Sequence, residues 1–312
     1  MHAIQVLIFS SPGYYDGMNV DQRTYIDLHL HSNCSDGVFS PADLVERASK
    51  ARLSAIAIAD HDSVAGVSEA FVAGGTLGME VIPAVELSVQ FRTWKDVHLL
   101  GYGIDYTDSG FLERLNGFRE RRERRNIEIL QRVNEMLVTE NRAAIGLDAV
   151  LAYARDAIGR PHIARALLQM GYAASVEDAF DRYLIPCNVP KAYWPINDAI
   201  AEIKRIGGVA VLAHPTSISA DRQELRRVIS ELAEMGMDGI EAFNNLALPE
   251  EMERLRRLAG ELGLLVTGGS DFHGIEEGLE MGRGRGGMRF SADLLAPLKE
   301  LLSQRQDQLL SL

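Results

Sequence analysis

Two histidines, His29 and His31, close the apolar part of the segment YIDLHLHSNCSDG. Residues two apart in a strand project to one face, so this pair points to one place. That geometry suits two ligands on one metal ion. The plain alternative is two strand-end histidines bound to backbone, and the other histidines decide between the readings. The chain has eight, and four more of them stand beside apolar segments: His61 follows IAIAD, His98 opens HLLGYG, His214 follows GVAVLA and His273 ends VTGGSDFH. Three carboxylates accompany them, Asp36 in SDG, Glu86 in VIPAVELS and Asp271 in GSDFH. These nine residues lie at or near the ends of apolar segments. Crowded into one cleft, they would be costly to bury without cations to neutralise them. A catalytic metal takes about three or four protein ligands, so such a set can hold two or three divalent ions. Nitrogen and oxygen donors without thiolate suit manganese first, with zinc or iron(II) as alternatives.

The donors meet only if the elements carrying them end on one face. YIDLHL, SAIAIADHD, MEVIPAVELSVQF, DVHLLGYGI, GGVAVLAHP, DGIEAF and LLVTGGSDFHG read as strands. Helical patterns alternate with them: SPADLVERASKARL with Ser40 as N-cap and Pro41 at the first position, a segment from about Ser68, DRQELRRVISELAEMG and PEEMERLRRLAGELG. The alternation predicts parallel strands with crossover helices, an α/β barrel with its site at the strand C-termini. His98 opens its strand, so it joins the cleft only if that strand runs the other way or is distorted. Between Asp108 and Asn197 the pattern predicts helices only, a cap on the barrel. The expected organisation is an N-terminal extension (1–24), a barrel (25–107 and 198–290), a helical insertion (108–197) and a C-terminal helix (291–312).

The 312 residues are 46% hydrophobic and 24% charged, with a formal charge of −12. That charge disfavours a nucleic-acid coating protein. A small anionic substrate is still compatible, because bound cations reverse the sign of a local field. No apolar run is long enough to span a bilayer. The N-terminus lacks a basic region and a cleavage site of the secretory kind, and Met18 is an alternative start. Cys34 and Cys187 make no disulfide framework, so a reducing cytoplasm is expected.

H-x-H at 29–31, SDG with Asp36, DHD at 60–62, VEL with Glu86, the histidine of HLL, AHP at 213–215 and GSDFH at 269–273 occur in the order of the PHP (polymerase and histidinol phosphatase) family. The chain resembles that family from about Tyr25 to His273. The resemblance implies a distorted seven-stranded β/α barrel, a trinuclear metal centre and phosphoester hydrolysis. It implies that His29, His31, Glu86 and Asp271 hold one metal. Glu86 would bridge to a second, shared with His98 and His214, and Asp36, His61 and His273 would hold the third. GRPHIARAL and GIEAFNN resemble the stand-alone phosphoesterases of the family, especially the 3′,5′-nucleoside bisphosphate phosphatases. Some relatives of these degrade short RNA. The expected reaction is hydrolysis of the 3′-phosphate of a nucleoside bisphosphate, with a metal-bridged hydroxide as nucleophile. Alternatives are a 5′-to-3′ exonuclease on short RNA oligonucleotides, a metal-dependent amidohydrolase and a non-catalytic PHP domain. A metal-bridging lysine and the amidohydrolase motif order are not seen, and a complete ligand set argues against decay.

Arg160 and His162 in GRPH are candidates for a second phosphate, since guanidinium offers it a planar bidentate match. The alternative is a helix start at Pro161 with Arg160 solvated. Asn244 and Asn245 are candidates for sugar hydroxyls or phosphate, and Lys191 is a weaker phosphate candidate. Arg119, Arg121, Arg122, Arg124 and Arg125, mixed with Glu120, Glu123 and Glu128, read as a solvated helix face. Arg122 or Arg125 facing the site is the other possibility. The glycine and arginine stretch 282–289, with Arg283, Arg285 and Arg289, has no assigned role. The expected partner is a small nucleotide or short oligonucleotide, with no membrane, and the oligomeric state is open.

Overall fold

The computed structural model describes residues 25–152, 158–275 and 278–311; the N-terminal extension, with Met18, lies outside them. The strands are β1 (Tyr25–Leu30), β2 (Ala55–Ile58), β3 (Glu80–Phe91), β4 (Trp94–Tyr102), β5 (Trp194–Pro195), β6 (Val209–Leu212), β7 (Gly239–Phe243), β8 (Leu265–Gly268) and β9 (Phe290–Ser291). The helices are α1 (Pro41–Lys50), α2 (Val67–Leu77), α3 (Ser109–Thr139), α4 (Leu147–Leu151), α5 (Arg160–Gln169), α6 (Val176–Ala179), α7 (Ile196–Arg205), α8 (Arg222–Glu234), α9 (Pro249–Leu262) and α10 (Leu295–Leu310). Ser40 caps α1 in a capping box with Asp43, and Pro41 takes the first turn. No helix among the described residues is long and apolar enough to cross a membrane.

The sheet order is β8-β7-β6-β4-β3-β2-β1-β9, with β5 joined to β3. The pairs β1/β2, β2/β3, β6/β7 and β7/β8 are parallel. β4 is antiparallel to both β3 and β6. An all-parallel sheet is therefore corrected at this strand: the short turn from Phe91 to Trp94 leaves no room for a crossover helix. The reversal meets the condition set for His98, although His98 lies in the middle of β4 and not at its start: the antiparallel register sets it opposite Ser88, two residues past Glu86 in β3. Past β8 the chain reaches β1 again. Asp271 N–H donates to His29 O (2.9 Å) and His31 N–H donates to Phe272 O (3.0 Å), which nearly closes a barrel.

Inside the barrel, Ile26, Leu28, Ala57, Ala84, Tyr102 and Val211 form one cluster, which α10 covers with Leu295 and Leu298. Leu30 packs instead with Leu44 of α1 and Ala70 of α2 outside the sheet. The change of face has a cause in β1. Residues 27 to 30 of β1 oppose only 56 to 58 of β2, which is a bulge. The extra residue lets Leu28 fill the interior and still turns His29 and His31 inward. Tyr102 Oη donates to Leu28 O (2.9 Å), satisfying a carbonyl at the bulge.

Helices α3 to α6 lie between β4 and β5. They bury a cluster of their own, including Ile129, Val133, Leu137, Ile163, Leu167 and Tyr183. The first turns of α3 belong to the other side, since Phe111 and Leu115 pack with Trp194 and Ile200 against the barrel. The expectation of helices only between 108 and 197 is corrected by β5, whose two residues pair with Val89 and Gln90 of β3. Two residues are too few for strand alternation to show in sequence. The boundary drawn between 197 and 198 falls inside α7.

Candidate metal centre

All nine sequence-predicted donors come together at one end of the barrel. His29 Nε2, His31 Nε2, Glu86 Oε2 and Asp271 Oδ1 form one group. Within it the histidine to carboxylate distances are 3.3 and 3.5 Å from His29 and 3.3 and 3.0 Å from His31. Donors about 2.0–2.1 Å from a tetrahedral ion sit about 3.3 Å apart, so the spacing is that of a metal cradle. A second group surrounds the other oxygen of Glu86. Oε1 lies 3.1 Å from His98 Nδ1 and 3.2 Å from His214 Nε2, and those two nitrogens are 3.2 Å apart. In the third, Asp36 is 3.4 Å from His273 Nε2, 3.7 Å from His61 Nε2 and 3.8 Å from His31 Nδ1. His61 also reaches Glu86 Oε2 through Nδ1 (2.9 Å), so it stands between groups.

His29 Nε2, both ring nitrogens of His31, His61 Nδ1 and Glu86 Oε2 are buried without a hydrogen-bond partner. Buried polar atoms are normally paired. Five orphans facing one space fit divalent cations, and the nitrogen and carboxylate donor set is of the right chemistry. His29, His31 and Glu86 are fully buried, but Asp271 is 24% and Asp36 37% exposed. The cluster therefore opens to solvent on the side of those two carboxylates.

Electrostatics without metal show how tightly the groups are coupled. Burial pushes Glu86 up, but His98, His61 and His29 outweigh it and hold its carboxyl well below the usual range. Burial keeps His31 down at about 4, so its ring is neutral near pH 7. Burial lowers His61 too, yet Glu86 and Asp36 raise it to about 9.

The loops that present these donors are held by residues that sequence reading missed. Asp60 accepts from Ser32 N–H (2.7 Å), Ser32 Oγ (2.6 Å) and Ser35 Oγ (2.6 Å), fixing the loop before Asp36. Asp27 accepts from Ser270 N–H (2.8 Å), Ser270 Oγ (2.6 Å) and Gly282 N–H (2.6 Å), tying β1 to the Asp271 loop and the glycine and arginine stretch. Glu241 Oε1 lies 2.9 Å from His29 Nδ1. An acidic residue inside an apolar strand was the available signal for Asp27 and Glu241. Two glycines are dictated by contact: a Cβ on Gly37 would lie 2.1 Å from His31 O, and one on Gly269 would lie 2.3 Å from His29 Cβ. His214 and Asp271 adopt positive φ (28° and 55°), which marks backbone bent to aim a side chain.

The substrate candidates divide. His162 Nδ1 accepts from Gly159 N–H (2.9 Å) at the start of α5. Burial lowers its pKa, with Arg165 and Arg122 adding to the effect. Arg160 lies over the Phe180 ring (5.5 Å). Lys191 Nζ donates to Ser88 Oγ (3.0 Å) and Asp96 Oδ1 (3.1 Å) near the His98 end of the barrel. Asn244 is 1% exposed, and its amide is used up in its own turn, donating to Glu241 O and accepting from Leu246 and Ala247 N–H. A substrate role for it is corrected on that ground. Asn245 Nδ2 donates to Ser270 O, behind the Asp271 loop. On α3, Arg119, Arg121 and Arg124 are exposed, while Arg122 and Arg125 are half-buried. Arg125 donates to Val189 O (2.6 Å) and Asn188 Oδ1 (2.8 Å), so that face packs on the returning chain. Two surface cavities of about 430 and 510 Å3, one between α3 and β5 and one between α1 and the 280–289 loop, contain none of the nine donors.

A PHP domain profile matches residues 27–185. Over 260 residues the chain is 33% identical to a 5′-3′ exoribonuclease of Haemophilus influenzae, spanning 82% of this chain and 93% of that protein. Over another alignment of 260 residues it is 31% identical to a 3′,5′-nucleoside bisphosphate phosphatase of Chromobacterium violaceum, spanning 81% and 88%. A solved structure from Bifidobacterium adolescentis, described as a metal-dependent phosphoesterase, superposes with a TM-score of 0.74 at 31% identity, over 88% of this chain and 96% of that one. Profile, relatives and barrel agree: the chain belongs to the PHP domain family.

Proposed function

We propose that this protein is a metal-dependent phosphoesterase that removes the 3′-phosphate of a 3′,5′-nucleoside bisphosphate. The observation that carries the reading is the set of three donor groups sharing Glu86, His31 and His61, with five orphaned buried atoms facing inward. His29, His31, Glu86 and Asp271 would hold one ion, Glu86, His98 and His214 a second, and Asp36, His61 and His273 a third. Manganese suits the donors, with zinc or iron(II) as alternatives. Bound divalent ions supply neutralisation of phosphoryl oxygens and a nucleophilic water at neutral pH.

The chain's own residues do the rest. The exposed edges of Asp36 and Asp271 mark where a phosphoryl group enters. His162 accepts at Nδ1, so its Nε2 carries the hydrogen and can donate to a second phosphate. Arg160, at the first position of the same helix, adds a bidentate cation. Arg122, Arg125, Arg160 and Arg165 are close enough to repel His162 or one another, so this wall of the insertion is cationic in a chain of net charge −12. Lys191 is already neutralised by Asp96 and serves better to brace β4 than to bind phosphate.

A second reading, stepwise 5′-to-3′ cleavage of short RNA, is supported by the relative named as an exoribonuclease. It needs the same centre and a longer substrate path. The test is phosphate release from adenosine 3′,5′-bisphosphate by manganese-loaded protein, beside a 5′-phosphorylated RNA oligonucleotide. Release from the bisphosphate supports the first reading, and a ladder of shortened RNA supports the second. Inertness towards both, with metal bound, sinks both. His61→Ala should lose metal and at least about a hundredfold of activity; near-native metal load and turnover would remove His61 from the centre.

A further inference from the structure

We propose that Glu241 is a positioning residue that sets two of the metal-binding groups at once, by orienting the His29 ring and by holding the turn that carries His214. This rests on the assignment of those histidines as ligands. Glu241 is fully buried in β7. Its Oε1 lies 2.9 Å from His29 Nδ1, and its Oε2 accepts from His214 N–H at 2.9 Å. A carboxylate offers acceptors only, so His29 must keep its hydrogen on Nδ1. Nε2 is then the nitrogen left for a metal, and it faces Glu86 and Asp271 at 3.3 and 3.5 Å. A carboxylate behind a histidine fixes the ligating nitrogen in this way at metal sites generally.

The second oxygen works on backbone. His214 has φ 28°, a conformation that persists only where neighbours hold it. The hydrogen bond to Glu241 supplies that restraint, and Nε2 then reaches Glu86 Oε1 at 3.2 Å. The His29 and His214 rings stack 6.0 Å apart across the same carboxylate. One side chain thus links a donor of the first group to a donor of the second. Glutamine is nearly isosteric but presents one acceptor and one donor group. It can serve the His29 ring N–H or the His214 N–H, not both. If its NH2 faces His29 Nδ1, the ring hydrogen moves to Nε2, where it blocks a metal. Burial keeps water from repairing either loss.

The experiment compares the full chain as wild type, Glu241→Gln and Glu202→Gln. Glu202 is a buried carboxylate (4% exposed) that pairs with Arg205 away from the cluster. Each protein is loaded with manganese and dialysed at fixed free Mn2+, and metal per chain is measured. Glu241→Gln should lose at least one ion per chain or bind about 10- to 100-fold more weakly. Its turnover should recover in excess Mn2+, which a merely unfolded protein would not show. Glu202→Gln should keep its metal. Equal stoichiometry and affinity in Glu241→Gln and wild type would overturn the role, whereas a wild type that binds no metal removes the ligand assignment and this role with it. A further arm needs no variant. In zinc-loaded wild type, ring 15N shifts should show His29 with hydrogen on Nδ1 and zinc on Nε2; the reverse arrangement overturns the proposal.

Discussion

Glu86 is where the cluster is balanced. Its two oxygens face five histidines within 3.3 Å, and no neutral side chain of its size could serve all five. Burial favours neutral rings at His29, His61, His214 and His273, but the facing carboxylates outweigh it and raise all four. The sign follows. Raised imidazoles carry protons near neutrality in metal-free protein, and the stability of these pairs is lost as pH climbs through the raised values, about 9 for His61. Metal must displace those protons. Adding Mn2+ to chelator-stripped protein at pH 7 should therefore acidify a weakly buffered solution, with affinity rising as pH rises. A pH-stat titration that records no proton release would contradict this charge balance.

At the scale of elements, the β1 bulge and the cap of α3 each make a separable contribution. Tyr102→Phe removes the buried hydroxyl that donates to Leu28 O and ties β4 to the β1 bulge. It should cost about 1–3 kcal/mol in denaturant unfolding, and metal affinity should fall with it because the bulge aims His29. Asp108 caps α3 by accepting from Phe111 N–H (2.8 Å) and also pairs with Arg205 at 2.6 and 3.1 Å. An asparagine side chain in its place would keep the cap and lose the pair. Arg205 holds the Asp108 carboxyl below its ordinary value, so this stability is present at neutral pH and lost as pH falls. Asp108→Asn should cost about 0.5–1 kcal/mol at pH 7 and progressively less as pH falls below the ordinary carboxylate value and through the lowered value of the folded carboxyl. Thermal melts across an acid series read the decline.

Across the whole molecule, the barrel holds the donors and the insertion supplies the cationic wall. Their buried clusters are separate, although α3 starts in one and continues through the other. Leu137→Ala, in the middle of the insertion cluster, should cost about 2–5 kcal/mol locally. Protease sensitivity should rise between residues 127 and 189 while metal per chain stays constant. Loss of metal in that variant would show that the two clusters stabilise each other.

Much of this was legible in sequence because it depends on local rules. Alternation and turn chemistry marked the barrel strands and the Ser40 cap, and residue type marked the nine donors. An acidic residue in an apolar strand flags Asp27 and Glu241, but their roles, like that of Asp60, were not legible, since the task of a buried carboxylate is set by the donors that other segments bring to it. Nor was Asn244, whose amide looked available until its own turn was seen to use it. The reversal of β4, the bulge that turns His29 inward and the closure of β1 on the Asp271 loop are all pairings between distant segments. The sequence by itself determined which side chains can hold metal. Only the tertiary structure decided that they converge, because convergence rests on strand direction and register, and neither is written in any one segment.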